Sequence, residues 1–443
     1  MDTLNSFLLQ GVKIFTGTET IEKGFVHVLN GTIAQVGPGD FPTIHNGTLR
    51  VIPRPGDTVI PGLIDAHIHA PSGNTSCLEQ SLRFGVITVC DMQNDLEINT
   101  KLKKAPGDPT KKSVSADFKF AGSGALVEGG WPLQVLQKEL SNTPCSDHLV
   151  EQIVSKWTLL RKPEEADPFI KQQVEEIGAS YIKMFHEVGD SLGMDLPRPS
   201  LDIQKAVVAA AHKYGVIATG YALSYAGTMD LLRAGADGLT HIFLDRPPSD
   251  DYVQLMLDNR VHCNPTLGLA ASQTDEGLDF QHSFLQDPFA QRLLIQKTPG
   301  QPLGLAAGQK PRASIHNAYA NTRTLYKAGD PVVLGTDAAR MGFGFPYGLR
   351  MHMEMRFMVQ EVGMSPFDVL KSVTSVTADR FKFNDRGRIE AGKKADLVLV
   401  QGDVFKSLAA NGGRSLRIKS VWRDGISASV FEDETETCDN PFS

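Results

Sequence analysis

At 443 residues the chain exceeds one ordinary domain and suits a large barrel carrying one smaller unit. With 41% hydrophobic and 21% charged residues it can bury a large core. A net charge of −7 with no block of like charge argues against nucleic acid or anionic membrane as a partner. No apolar run approaches the ~18 residues that span a bilayer.

The opening stretch MDTLNSFLLQGVKIFTG lacks a basic region and a small-residue cleavage site, so it reads as a first strand and not a signal peptide. Residues 5–60 alternate apolar runs with Gly-rich turns (FLLQGVKIFTG, GFVHVLNGTIAQVG, TLRVIP), the pattern of β-hairpins. Then come eight strand-like runs: 63–70, 85–92, 117–127, 180–187, 215–223, 238–243, 261–268 and 331–338. Helical spacers such as LDIQKAVVAAAHKYG and AGTMDLLRAGAD separate several of them. Eight β units alternating with α units predict an α/β fold, a (β/α)8 TIM barrel, over 61–384. Residues 387–430 return to β patterning, so 1–60 and 385–430 are expected to form one composite β-sandwich domain, with 431–443 as a tail. Stretches 94–115 and 270–312 are longer than barrel loops need and suit lids or substrate walls. The five cysteines, Cys77, Cys90, Cys145, Cys263 and Cys438, are scattered without a C-x-x-C pair, which favours a reducing, cytoplasmic setting.

The stretch PGLIDAHIHA carries His67 and His69 two residues apart. Strand alternation puts both imidazoles on one face and Ile64, Ala66 and Ile68 on the other. Two imidazoles near the C-terminal end of a barrel strand can grip one cation, and that end is the active-site mouth. An H-x-H pair alone is weak evidence, since two ordinary polar residues on a half-buried strand look the same. Lys183, His241 and Asp337 stand at the ends of three further runs. Each has an ordinary explanation: a snorkelling lysine, a satisfied core histidine, a helix cap. Four such coincidences on four strands are much rarer than one.

PGLIDAHIHA, the lysine after SYI, the histidine of GADGLTH, the aspartate of LGTDA and the tail MSPFDVLKSVTSVTADRFKFNDRGRIEAGKKADLVLVQGD resemble the amidohydrolase superfamily. The nearest branches are imidazolonepropionase-like and prolidase-like, and the resemblance runs from about Val12 to about Gly425. It implies zinc, as one or two ions. His67 and His69 would hold the first metal. Lys183, carbamylated if there are two ions, would bridge them. His241 would hold the second, and Asp337 would be a ligand and the general base. Zinc suits imidazole and carboxylate ligands and lowers the pKa of bound water.

The pattern breaks at strand five. Relatives carry a histidine there, and this chain has Tyr221 and no histidine in 219–225. Trp131 likewise stands where relatives often have a strand-three histidine. Three arrangements remain open: one metal on His67, His69 and Asp337 beside an unmodified Lys183; Tyr221 as a phenolate ligand of a second metal; or His186 filling the gap. Tyr221 could also donate a proton or hydrogen-bond an oxyanion, or simply pack. Arg340 could pair with a substrate carboxylate. His352 and Glu354 lie on a helix at a spacing that does not share a face, and His262 reads as structural.

The expected activity is hydrolysis of a C–N bond, amide or cyclic amide, in a small organic substrate by metal-activated water, with Asp337 and Tyr221 as catalytic residues. The alternative is a lyase, decarboxylase, isomerase or cyclase on the same barrel with an altered metal site; a metal-free binding protein is a third class. The expected partner is the small-molecule substrate, with neither nucleic acid nor membrane, and a homo-oligomer is a family expectation.

Overall fold

The computed structural model describes residues 5–42, 49–70, 75–190, 193–274, 276, 278–295, 313–339, 346–410 and 412–431. The parallel strands Leu63–His69, Val86–Asp91 and Asp117–Phe120 pair in order, with Ala338–Ala339 on the outer side of the first. A second parallel set pairs Ile182–Phe185, Ala218–Tyr221, Gly238–Thr240 and His262–Asn264. Hydrogen bonds join the two sets at both seams. Ala125 N donates to the Lys183 carbonyl, and Cys263 and Val333 exchange with the opposite backbone around Pro331. Helices alternate with these parallel strands in both sets.

Alternation along these strands fills two cores. Ile64, Ala66, Cys90, Met92, Ala121, Tyr181, Ile217 and Val333 share one cluster, plugged by Ala378 and Phe381. Residues from so many strands meet only on the inner face of a curled sheet. Leu63, Ile68, Val86, Val89, Ile182, Met184 and Leu239 belong to a larger cluster shared with the helices. The helices start and stop on local chemistry. Ser224 caps Tyr225–Ala234 by accepting from Gly227 N, and Gly235 ends it in the left-handed conformation at φ 87°.

Both chain ends meet in one eight-stranded sheet. Phe7–Phe15 pairs with Thr20–Leu29 on one side and with Arg50–Pro53 and Thr58–Pro61 on the other; Leu397–Val400 then pairs with Thr58–Pro61. Residues 31–33 hydrogen-bond to 392–395, so the sheet folds back over a core of Leu9, Val28, Leu397 and Trp422. Val404–Ala409 adds a short helix to this C-terminal β region. Arg386 ties the sheet to the barrel through Asp117 at 2.6 Å and Thr88. The long stretch 94–115 holds the helix Leu96–Gly107, and 270–312 continues from Leu267–Thr274 through two further helices, Leu278–Leu285 and Pro288–Leu293. Among the described residues Cys77, Cys90, Cys145 and Cys263 lie outside any disulfide, and no helix is long and apolar enough to cross a membrane.

Candidate metal centre

His67 and His69 end the first barrel strand, but simple alternation does not hold along it. Ile64 and Ala66 face the inner cluster while Ile68 faces the outer one. The expectation that all three share a face is therefore corrected. Pairing with the second strand slips between Asp65 and Ile68, and such a bulge re-aims the side chains beyond it. The two imidazoles thereby turn into the mouth. Asp65 locks the turn: its oxygens accept from His67 N at 3.1 Å, Thr336 N at 3.0 Å and Thr336 Oγ1 at 2.7 Å. Burial pushes its carboxyl up to about 7, against these hydrogen bonds. Ala70 N donates to Asp91, and Tyr347 donates to the His69 carbonyl at 2.6 Å, fixing the strand's end.

Asp337 arrives from the eighth strand. Its Oδ1 lies 3.2 Å from His67 Nε2 and 3.2 Å from His69 Nε2, and the two Nε2 atoms are themselves 3.2 Å apart. Among the described residues only these three bring one ligand atom each within 4.8 Å of one another. An equilateral triangle of this size fits a metal. Tetrahedral ligands at ~2.0–2.1 Å stand about 3.3 Å apart, so the three atoms form one face of a zinc-like tetrahedron with a vertex left open. Burial and the Lys183 charge hold the His67 imidazole down to about 3, so it is neutral and able to ligate. Burial works to raise Asp337, but its close contacts with His67 and His69 outweigh it and hold the carboxyl well below the usual carboxylate range.

The eighth strand approaches the first closely because position 335 is glycine. A Cβ there would lie 2.5 Å from His67 N and 2.7 Å from His67 Cβ. His241, Thr266 and Asp337 all adopt positive φ, at 73°, 48° and 52°. Such backbone is costly for residues with a Cβ and clusters at functional sites.

Lys183 and His241 lie beside the triangle and not in it. Lys183 is fully buried, donates to Thr240 Oγ1, and is lowered to about 7 by burial, with Asp337 opposing. The His241 ring lies 4.9 Å from that of His67, tilted by 40°, and its Nδ1 shares a 2.6 Å hydrogen bond with Thr266 Oγ1. Tyr221 ends the fifth barrel strand, its ring edge-on to His241 at 4.6 Å. Trp131, Phe185, Leu126, Leu196 and Leu223 complete an apolar cluster around it.

The remaining candidates sort clearly. His186 is held between Gln204 and Asp230. His352 bonds the Phe84 carbonyl and Leu416 N. His262 is buried against Phe381 with neither ring nitrogen paired among the described residues. Glu354 accepts from Leu267 N and Gly268 N, holding the loop that carries Thr266. Arg340 lies outside the described residues. Asp65, Thr336 and Gly335 were not singled out in the sequence, although Asp65 lies within PGLIDAHIHA and the other two directly precede Asp337.

The Amidohydrolase family model matches residues 155–427. The chain belongs to the amidohydrolase family. An imidazolonepropionase of Streptomyces griseus is 32% identical over 112 residues, 25% of this chain and 28% of that protein. An uncharacterized protein of Mycobacterium bovis is 22% identical over 293 residues, 64% of this chain and 65% of that protein. The chain thus matches less than two thirds of the length of these curated relatives. Among solved structures, a Xaa-Pro dipeptidase with bound methionine in its active site is 21% identical at a TM-score of 0.69, covering 95% of this chain and 99% of that one. Molinate hydrolase is 19% identical at 0.75, covering 97% and 96%. The ochratoxinase of A. niger is 18% identical at 0.70, covering 96% and 95%. These likenesses are of fold, and amidohydrolase-family neighbours imply a TIM barrel with an attached β domain.

Proposed function

We propose that this chain is a metal-dependent hydrolase of an amide or cyclic-amide C–N bond in a small organic substrate. Its frame would be a closed (β/α)8 barrel with a composite β domain. The observation that carries the reading is the 3.2 Å triangle of His67, His69 and Asp337 at the strand ends. Zinc matches its nitrogen and oxygen donors. The metal, when bound, supplies Lewis-acid activation of water and of the substrate carbonyl.

The chain's own residues do the rest. Asp337, held anionic by its two imidazole neighbours, takes the proton released by the attacking water and hands it to the leaving nitrogen. His67 keeps its lone pair because burial denies it a proton. Burial keeps Tyr221 a protonated phenol, able to donate to a developing oxyanion but not to act as a base. The apolar wall of Trp131, Tyr221 and Phe185 beside the triangle suits an apolar or aromatic substrate group. Molinate hydrolase and phenylurea hydrolase B share this fold, which supports the reaction class.

A lyase or isomerase step is the second reading, favoured by Tyr221 standing where relatives carry a metal histidine. Product mass separates the two. Hydrolysis adds one water to the substrate, a lyase step removes a fragment, and an isomerase leaves the mass unchanged. On a substrate so confirmed, Asp337→Asn should lower kcat by about 10²–10⁴-fold, the range of a lost general acid–base. Full turnover by that variant would overturn the mechanism.

A further inference from the structure

The family resemblance implies room for a second cation between the strand-four lysine, a strand-five histidine and the strand-six histidine. The side chains on that flank do not fit one. Lys183 Nζ is buried, donates to Thr240 Oγ1, and lies 5.3 Å from the Tyr221 ring centre and 5.4 Å from that of Phe185. Aromatic faces carry negative electrostatic potential, so they stabilise an ammonium and repel the oxygens of a carbamate. Carbamylation would also add three heavy atoms to a side chain with no exposed surface. Tyr221 is fixed by contacts on three sides: Trp131 stacked at 5.8 Å, Phe185 at 5.7 Å and His241 edge-on at 4.6 Å. A divalent cation there would meet these rings where the resemblance implies a strand-five imidazole, so one ligand that would repay its lost hydration is missing. His241 spends Nδ1 on Thr266 and joins no group of three converging ligand atoms among the described residues.

We propose that the chain holds a single metal ion, in the His67–His69–Asp337 triangle, and that Lys183 is an unmodified amine because the Tyr221 ring fills the flank of a second ion. This rests on the metal-dependent reading above.

The test uses the full chain, stripped with chelator and titrated calorimetrically with zinc alone, in buffers with and without bicarbonate. Elemental analysis of the dialysed product gives an independent count. The expected result is one ion per chain in both buffers, with no carbamate carbon resonance after equilibration with 13C-bicarbonate. Two ions per chain, or a carbamate signal, would overturn the inference and leave the hydrolase reading standing. No bound ion would overturn both. Tyr221→His supplies the missing imidazole and should raise the count to two in bicarbonate. A folded Tyr221→His chain that still binds one ion would overturn the role given to the Tyr221 ring. The wild-type count decides the number of ions even if that variant fails to fold.

Discussion

Gly335→Ala puts one methyl group where the first and eighth strands touch. The new Cβ would lie 2.5 Å from His67 N, 2.7 Å from His67 Cβ and 2.5 Å from Asn264 Nδ2. Two of these neighbours belong to a strand held on both edges, so the eighth strand must retreat by roughly half an ångström or more. Overpacking of this kind costs about 1–3 kcal/mol. A chain of 443 residues unfolds with an entropy of about 0.9 kcal/mol/K, so the melting midpoint should fall by only about 1–3 °C. The effect on the metal should be far larger, because the retreat carries Asp337 with it. Metal sites tolerate roughly ±0.2 Å in ligand distance. Affinity should drop by about 10–100-fold, as when the support behind a ligand is removed. Competition with a zinc-sensitive chelator measures this directly. Gly107→Ala, where a Cβ meets nothing within 4 Å, is the control. If Gly335→Ala bound zinc as tightly as the control, the claim that strand proximity sets the triangle would be wrong.

Asp65→Ala strands three donors that now share its carboxylate and should cost about 3–6 kcal/mol, whereas Asp65→Asn, which keeps one acceptor and lets Thr336 Oγ1 accept, should cost much less; equal melting midpoints for the two would refute the assignment. Arg386→Met removes the nearest of three cations around Asp117, leaving Lys119 and Arg423, and should lower stability by about 1–3 kcal/mol, with Arg386→Lys only partly restoring it, as thermal unfolding of the three proteins would show. Burial raises Asp330 from 3.8 to about 7, and neither of its oxygens has a hydrogen-bond partner among the described residues. The folded carboxyl keeps its proton where the unfolded one has lost it, so this stabilisation is complete below about 4 and disappears as pH rises through about 7. Asp330→Asn should therefore gain on the wild type between pH 5 and pH 8 in denaturant melts, and a constant difference would count against the shift. Trp131→Ala should raise KM for apolar substrates more than it lowers kcat; an unchanged KM would remove Trp131 from the substrate wall.

The parallel strands were legible because they are covered on both faces and so read as near-continuous apolar runs, VITVCD and IKMF among them. The triangle of His67, His69 and Asp337 was legible in part: the three stand at strand ends, and strand ends converge in this architecture. The separation of Lys183 and His241 from that triangle was not. It depends on which way each side chain turns and on what Thr240 and Thr266 offer it. The phase change along PGLIDAHIHA was hidden too, because a bulge is a property of the pair of strands. The apolar cluster of Leu126, Trp131, Phe185, Leu196, Tyr221 and Leu223 comes from four separate stretches, and no periodicity links them.

Local rules and the global fold conflict in one small region. His241, Thr266 and Asp337 take backbone conformations their side chains resist. Beside them, Arg350 is buried with Nε and Nη2 lacking partners among the described residues, and burial raises Glu354 to about 8 despite that neighbouring guanidinium. A barrel needs none of this for its own stability, and a chain selected for packing alone would relax each element separately. What the strained residues share is the triangle. The His241 ring lies against His67, Thr266 holds His241, Glu354 holds the start of the helix after Thr266, and Asp337 is the third member of the triangle. Strain retained at contiguous positions around one set of converging donors is the mark of a site kept for binding. The same reasoning explains why the hydrogen bonds between Asp65, His67 N and Thr336 lie directly behind the triangle: they hold its donors at spacings that suit a cation.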